Sequence, residues 1–208
     1  MKTYIIIFIF SIILGSILMI SFVKLTKQKS TQTSFSLQKA PTESLQGKIA
    51  TFSGIIKWQS RMATEAARVN LPTFIQQGEQ IETDYTGKLT IEFPGVSLIK
   101  ISPDSQINFA QTLPANIVLV QSKGSVQYQK LGKENISARV LHLLIQQTSG
   151  DMIVSISKDK PHITINIKKG EATIAYNDAE NISQEVTINE GKQLIFNDLT
   201  REITLPRL

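Results

Sequence analysis

The stretch Gly87–Ser97 reads G-K-L-T-I-E-F-P-G-V-S, and its pattern decides the fold class. Leu89, Ile91 and Phe93 alternate with polar residues, so one face of an extended strand is apolar and the other is polar. The run is bounded by glycine and by Pro-Gly, which are typical of turns. The same alternation recurs further along the chain, as in Ile163–Ile167. This pattern predicts half-buried β-strands.

Turn residues separate such runs at the short intervals typical of an all-β fold. They are Gly54, Gly78, Gly87, Pro94-Gly95, Pro103-Asp104, Gly124, Gly132, Gly150, Lys169-Gly170 and Glu190-Gly191. Only Met62–Arg68 and Ser137–Gln147 have a composition that suits a helix, and the second could equally form a buried strand. We therefore predict one all-β domain over residues 47–208.

The N-terminal run Tyr4–Val23 contains twenty residues without a charge. A helix of that length spans roughly 30 Å, the thickness of the hydrocarbon core of a bilayer. A cleavable signal peptide is the alternative, but its apolar core is usually shorter and a small-x-small cleavage site should follow it. We predict one uncleaved transmembrane helix that contacts the lipid bilayer through residues 4–23, within an anchor segment over residues 1–25.

Residues 26–46 are rich in Thr, Ser, Gln and Lys and show no period, which predicts a flexible linker. The net charge of +5 belongs mostly to the anchor and linker, because residues 47–208 carry 17 Lys+Arg against 16 Asp+Glu. A nearly neutral domain does not attract a phosphate backbone, so we predict no nucleic-acid partner. The chain has no cysteine, which excludes disulfides and thiolate sites.

The lysines beside the anchor bear on its orientation. Lys2 precedes the apolar run, whereas Lys24, Lys27 and Lys29 follow it. Taken alone, the positive-inside rule would place the C-terminal domain in the cytoplasm. Long C-terminal domains translocate with little regard to loop charge, however, and the family resemblance described next implies the opposite side. We predict a single-pass protein of the cytoplasmic membrane with its C-terminal domain outside the cytoplasm.

A series of turn-and-strand motifs follows in order along the domain. The motifs are Gly54–Trp58, Gln77–Thr83, Gly87–Ser97, Ile101–Ile107, Lys123–Tyr128, Lys169–Ile174 and Ile188–Leu194. Together they resemble the FecR domain over residues 45–197. The usual form of that domain is a Gly-Asp-x-Ile-x-Thr turn and strand, followed by a strand ending in Phe-x-Asp-Gly-Ser. Glu79 stands where the family usually has Asp, and Pro94–Ser97 replaces the Asp-Gly-Ser turn.

The resemblance implies an all-β, sandwich-like, FecR-type domain outside the cytoplasmic membrane of a bacterium. The best-studied members are transmembrane regulators that pass a signal from an outer-membrane receptor to a cytoplasmic sigma factor. In those members a cytoplasmic N-terminal arm contacts the sigma factor. Here only Met1–Thr3 precede the apolar run, so we do not expect sigma-factor regulation to carry over.

Residues that could carry catalysis or bind a metal are few. His142 and His162 have no further His or carboxylate at metal-ligand spacing, and we interpret both as structural or solvent-facing. The chain has no Gly-x-Ser-x-Gly elbow and no phosphate-binding glycine loop. We therefore predict no enzyme, no catalytic residues, no metal site and no cofactor, and we leave the ligand-binding residues unknown.

The carboxylate pairs Glu79 with Glu82 and Asp178 with Glu180 are predicted to lie in turns or on strand exteriors, as a solvated face. Trp58, the only tryptophan, is expected to pack in the core, with a stacking platform for a sugar as the alternative. Two Asn-x-Ser sequons, Asn135–Ser137 and Asn181–Ser183, match a glycosylation motif that is common by chance.

Two functions remain open on this basis. The first is a non-enzymatic binding or scaffolding module at the cell envelope, which contacts an envelope polymer or a membrane or surface protein. The second is a transmembrane sensor of a FecR-type regulatory system. A secreted enzyme is a third class, but no sequence feature favours it.

Overall fold

The computed structural model describes residues 43–206, and these form an all-β unit, as predicted. Their strands are β1 (Gly47–Ser53), β2 (Ile56–Gln59), β3 (Ala67–Arg68), β4 (Phe74–Ile75), β5 (Gln80–Thr83), β6 (Lys88–Phe93), β7 (Ser97–Ile101), β8 (Gln106–Leu113), β9 (Asn116–Lys123), β10 (Ser125–Lys130), β11 (Asn135–Val140), β12 (Leu143–Ile156), β13 (His162–Asn177), β14 (Ser183–Asn189), β15 (Gln193–Asn197) and β16 (Glu202–Thr204). No helix occurs among the described residues.

The predicted anchor over residues 4–23 and most of the predicted linker lie outside the described residues. Within residues 43–206 there is no helix long and apolar enough to cross a membrane. At the other end of the linker, Leu45 already packs against the core, and its N–H donates a hydrogen bond to the Thr112 carbonyl at 2.6 Å. Ordered packing therefore begins two residues before the start at Gly47 that we predicted for the domain.

The strands form one curled sheet whose halves meet at β12 and β13. The first half has the order β4-β1-β6-β7-β10, and the second has the order β3-β2-β5-β8-β9-β11. Strand β12 pairs with β11 along its first part and with β10 along its second. Strand β13 likewise pairs with β15 along its first part and with β14 along its second. All pairings are antiparallel except β9 with β11, which is parallel.

Glycines allow the chain to change from one half of the sheet to the other. Gly150 in β12 and Gly170 in β13 face each other across the ladder, each with φ of +79°. Gly54 and Gly124 also have positive φ and separate β1 from β2 and β9 from β10. A left-handed backbone is costly for residues with a Cβ, so glycine suits these bends. The sequence motif Gly-x-apolar-x-apolar marks the strand that leaves each bend.

The alternating runs point their apolar residues into a single core, which confirms the period-two prediction. Leu89, Ile91 and Phe93 are all buried, and so are the three isoleucines of the run Ile163–Ile167. Both predicted helix candidates prove to be non-helical. Ser137–Gln147 comprises most of β11, a two-residue turn and the start of β12, while Met62–Arg68 is irregular and ends in the short β3.

Candidate functional site

An open groove of about 400 Å³ lies where three hairpin loops come together. The loops join β11 to β12, β13 to β14, and β15 to β16. Residues that line the groove are Arg139, Leu141, His142, Leu143, Leu144, Ala175, Tyr176, Asn177, Ser183 and Arg201. We call this feature the loop groove.

The β11–β12 loop is strained at Leu141, which lines the loop groove. Val140 pairs with Leu143, which leaves Leu141 and His142 as a two-residue hairpin loop. Leu141 has φ of +51°, a conformation usually taken by Gly, Asn or Asp in such loops. A left-handed backbone costs a residue with a Cβ about 1–2 kcal/mol. The leucine side chain is 38% exposed, so core packing does not explain why this residue is used.

The β15–β16 loop carries a second residue of this kind. Arg201 has φ of +60°, and its N–H donates to the Asn197 carbonyl at 2.8 Å. The Asn197 side-chain oxygen accepts hydrogen bonds from the N–H groups of Leu199 and Thr200, which shapes the loop around Arg201. Backbone strain of this kind concentrates at functional sites. Two strained, non-glycine residues therefore line the same groove.

A hydrogen bond between His142 and Asp198 connects these two loops. His142 Nδ1 lies 2.9 Å from Asp198 Oδ1 and 3.0 Å from Oδ2. The His142 side chain is 53% exposed, whereas that of Asp198 is 15% exposed. The carboxylate next to the groove therefore already has a partner, and the contact holds the two strained loops together.

The two arginines of the loop groove are not paired in this way. Within residues 43–206, neither Arg139 nor Arg201 makes a salt bridge or a side-chain hydrogen bond. Next to them lie the exposed side chains of Leu141 and Leu144. A guanidinium group binds carboxylate or phosphate through two parallel hydrogen bonds, and an apolar surface beside it contacts the body of the ligand. The groove is thus suited to an anionic group on a partly apolar partner.

Ser183 lines the loop groove and has a hydrogen-bond partner of its own. Ser183 Oγ donates to Asn177 Oδ1 at 3.0 Å, and among the described residues it makes no hydrogen bond to His142. Among the described residues, no group of three or more His, Asp or Glu side chains is placed to hold a metal ion. The geometry supports binding through fixed charges and apolar contact.

A second groove, of about 410 Å³, lies on the outer face of β1, β6 and β7. Lys88 and Lys100 supply its charge, and Phe52 and Gln127 also line it. Gln127 Nε2 donates to both carboxylate oxygens of Asp151, at 3.0 and 2.7 Å. None of the residues that line this second groove has a positive φ, so it serves as an unstrained comparison for the loop groove.

The prediction that Glu79 belongs to a solvated face is wrong. Glu79 is 6% exposed, and its Oε2 accepts hydrogen bonds from Trp58 Nε1 at 2.9 Å and from the Gln76 N–H at 2.8 Å. The Trp58 ring is half-buried and packs against the core. Glu82 lies half-buried on β5. Spacing along the chain did not show that Glu79 pairs with a tryptophan 21 residues away.

The other polar residues considered in the sequence have structural or exposed positions. Asp178 organises the β13–β14 loop, where its carboxylate accepts hydrogen bonds from Gln184 Nε2 and from the N–H groups of Ile182 and Glu180. The hydrogen bond from Gln184 is the main cause that lowers the pKa of Asp178, and the one from the Ile182 N–H adds to it. His162 is half-buried at the start of β13. Of the sequon asparagines, both are exposed: Asn135 begins β11, and Asn181 lies in the β13–β14 loop.

The motif Gly78–Thr83 has a structural explanation. Gly78 adopts φ of +84°, Ile81 is fully buried, and Thr83 accepts a hydrogen bond from the Ser105 N–H at 2.9 Å while donating to the Ser102 carbonyl at 2.7 Å. Together with the Glu79 contacts, these interactions connect the turn to neighbouring strands. The motif therefore builds the fold, and the loop groove lies elsewhere.

No family model and no curated protein matches this sequence. Two crystal structures of a putative anti-sigma factor from Parabacteroides distasonis ATCC 8503, at 2.50 and 1.65 Å resolution, are similar in structure. Both superpose with a TM-score of 0.52, at 10% and 9% sequence identity. Each match covers 62% of this chain and 59% of the other. At this identity, the likeness shows a shared all-β fold.

Proposed function

We propose that this chain is a membrane-anchored, non-enzymatic binding or scaffolding module of the bacterial cell envelope. In this proposal residues 4–23 hold it in the lipid bilayer of the cytoplasmic membrane, and a sandwich-like, FecR-type domain lies outside the cytoplasm. The ordered motifs described above support the family assignment. The ligand is an anionic group of an envelope polymer or of a membrane or surface protein.

One observation carries the binding role: the two arginines without ion pairs in the loop groove. Arg139 and Arg201 are 62 positions apart in the chain, and β11 and the β15–β16 loop bring them to one groove. Charge-assisted hydrogen bonds contribute about 1.5–3 kcal/mol each when they replace contacts with water. Two such groups, one on β11 and one in the β15–β16 loop, would retain an anionic partner, and the contact between His142 and Asp198 connects the elements that hold them.

Binding of the full-length chain in lipid nanodiscs to purified anionic wall polymer tests this role. The double variant Arg139→Gln with Arg201→Gln should weaken binding at least about tenfold and reduce its salt dependence. The matched control, Lys88→Gln with Lys100→Gln, removes the same charge from the second groove and should change the affinity less than about twofold. Equal losses for the two double variants would contradict the assignment of the site.

Membrane orientation is tested separately, with a topology reporter fused after Ser30. Activity from an extracytoplasmic reporter supports the localisation. Activity from a cytoplasmic reporter alone would overturn it, since the flanking lysines would then have determined the orientation.

A sensor of a FecR-type regulatory system is the second candidate. The shared fold with a putative anti-sigma factor is the observation that favours it. A transcriptional profile after deletion of the gene separates the candidates. Changed expression of a sigma-factor-dependent set of genes supports signalling, and an unchanged profile together with polymer binding supports the scaffold.

A further inference from the structure

Strand β14 ends the second half of the curled sheet with an unusually long free edge. Within residues 43–206 it pairs with β13 alone, over seven residues from Ser183 to Asn189. The other strands of the described sheet that pair with a single neighbour are short, with two residues in β3, two in β4 and three in β16. Short edge strands are one way in which proteins avoid edge-to-edge association.

The sequence of β14, S-Q-E-V-T-I-N, also lacks most of the other usual protections. It contains no proline and no lysine, and its register with β13 runs through seven consecutive pairs without a bulge. Its one charge is Glu185. An edge of this kind is a template for another strand, because its outward backbone N–H and C=O groups are available for pairing.

The hydrogen bond at the start of the hairpin shows which groups face outward. The Asp178 N–H donates to the Ile182 carbonyl at 3.0 Å, so the backbone of residue 182 faces β13. Hydrogen-bonded residues alternate along an antiparallel pair. The backbone groups of residues 184, 186 and 188 therefore also face β13. Those of residues 183, 185, 187 and 189 face the free edge.

We propose that β14 of one molecule pairs antiparallel with β14 of a second copy, about a two-fold axis through Val186. In this register Ser183 meets Asn189 of the second copy, and Glu185 meets Thr187 of the second copy. The four outward-facing residues of each strand then form four hydrogen-bonded pairs, with about eight bonds in all.

Charge selects this register over its neighbours. A shift by two residues in one direction would place Glu185 opposite its own copy, where like charges repel. A shift in the other direction loses a pair at the end of the strand. In the proposed register Val186 faces its own copy across the axis, and this side chain already packs against the core. The sheet and its apolar face therefore continue from one molecule into the next.

Cysteine crosslinking of the full-length chain in membranes tests the register directly, because the natural chain has no cysteine. Residues at a non-hydrogen-bonded antiparallel position lie about 4.5 Å apart at Cα, within the range for a disulfide. Val186→Cys should form disulfide-bonded dimers on mild oxidation. Ser183→Cys alone should form at least about tenfold fewer, because its copies lie roughly 20 Å apart along the strands.

A mixture of Ser183→Cys and Asn189→Cys molecules should regain the crosslink, because these positions face each other in the proposed register. Failure of both Val186→Cys and this mixture to crosslink would overturn self-pairing, and the edge would then be open to a strand of a different protein. Crosslinking of Ser183→Cys at the same rate as Val186→Cys would overturn the register.

Charge variants on exposed positions provide an independent measurement of association. Thr187→Glu places two like-charge pairs across the interface and should weaken self-association about fivefold. Adding Glu185→Lys converts both pairs to opposite charges and should restore it. Sedimentation of the full-length chain in density-matched detergent reports the change. Equal association of all three proteins would overturn the proposed pairing, and it would leave the loop groove proposal unaffected.

Discussion

Glu79→Ala should destabilise the fold far more than a typical change of a surface glutamate. The Glu79 carboxylate is almost fully buried and accepts hydrogen bonds from the Trp58 indole and the Gln76 backbone. Each hydrogen bond to a charged group contributes about 1.5–3 kcal/mol, and its loss leaves a donor unpaired. Since Trp58 is only half-buried, part of its loss is recovered through water. We expect the free energy of unfolding to fall by about 2–4 kcal/mol.

Urea titration of the full-length chain in mild detergent measures this loss, with the fluorescence of the single tryptophan as the signal. Glu82→Ala is the matched control, because Glu82 accepts no side-chain hydrogen bond among the described residues and should change stability by no more than about 0.5 kcal/mol. Glu79→Gln keeps an acceptor oxygen and should lose about 1 kcal/mol. Equal stabilities for Glu79→Ala and Glu82→Ala would refute the reasoning.

Three further changes follow from the backbone and the loops. Gly150→Ala should lower the free energy of unfolding by about 2–4 kcal/mol, because the new Cβ would meet the Lys169 carbonyl and the residue has a positive φ. Gly191→Ala is the control: it also has a positive φ but open space around it, and should lose about 1 kcal/mol. Thermal unfolding compares the two variants. Leu141→Asn should raise the free energy of unfolding by about 0.5–1 kcal/mol in the same assay, because asparagine suits the positive φ at this position. The same variant should bind the anionic polymer more weakly, and a gain in both stability and binding would contradict a binding role for Leu141. Because the pKa of Asp178 is lowered in the folded state, its carboxylate stabilises the fold above the unfolded pKa of 3.8, and this stabilisation is lost as the pH falls through the lower folded value. In Asp178→Asn the urea midpoint should therefore decline less steeply below about pH 4 than in the unchanged protein.

The strands were predictable from the sequence because their signal is local. Leu89, Ile91 and Phe93 alternate over six residues, and the same rule that predicts their burial holds in β13. Period-two alternation does not report partners, however. The parallel pairing of β9 with β11 and the division of β12 between two neighbours depend on contacts between distant segments. These features required the structure.

The loop groove was not predictable for the same reason. Asp198 is 56 positions from His142, and no spacing rule connects them. The β11–β12 turn also lacks a local signal, because Leu141 occupies a position where Gly, Asn or Asp would mark a hairpin. Without that mark, Ser137–Gln147 had the composition of a helix as much as of a strand. The residue that obscured the turn is the residue that we assign to binding.

Two buried glutamines donate hydrogen bonds to glycine carbonyls at two of the sheet's bends. Gln121 Nε2 donates to the carbonyl of Gly124 at 2.9 Å, and Gln147 Nε2 donates to that of Gly150 at 2.8 Å, so the same Gln-x-x-Gly arrangement serves both bends. Gln121 also accepts a hydrogen bond from the Tyr128 hydroxyl at 2.9 Å, and burial raises the pKa of that tyrosine far above its usual range, so it stays a neutral donor. The Gly124 carbonyl also accepts a hydrogen bond from the Ile156 N–H at 2.8 Å, so Gln121 is a second donor to it.

The bend at Gly170 has Ile167 at the equivalent position, three residues before the glycine. An isoleucine side chain cannot donate to a carbonyl, and here the β14–β15 turn instead contacts the backbone of Ile167: the Ile167 N–H donates to the Lys192 carbonyl at 3.0 Å, and the Gly191 N–H donates to the Ile167 carbonyl at 2.8 Å. Ile167 therefore meets the β14–β15 turn through its backbone, while its side chain packs in the core.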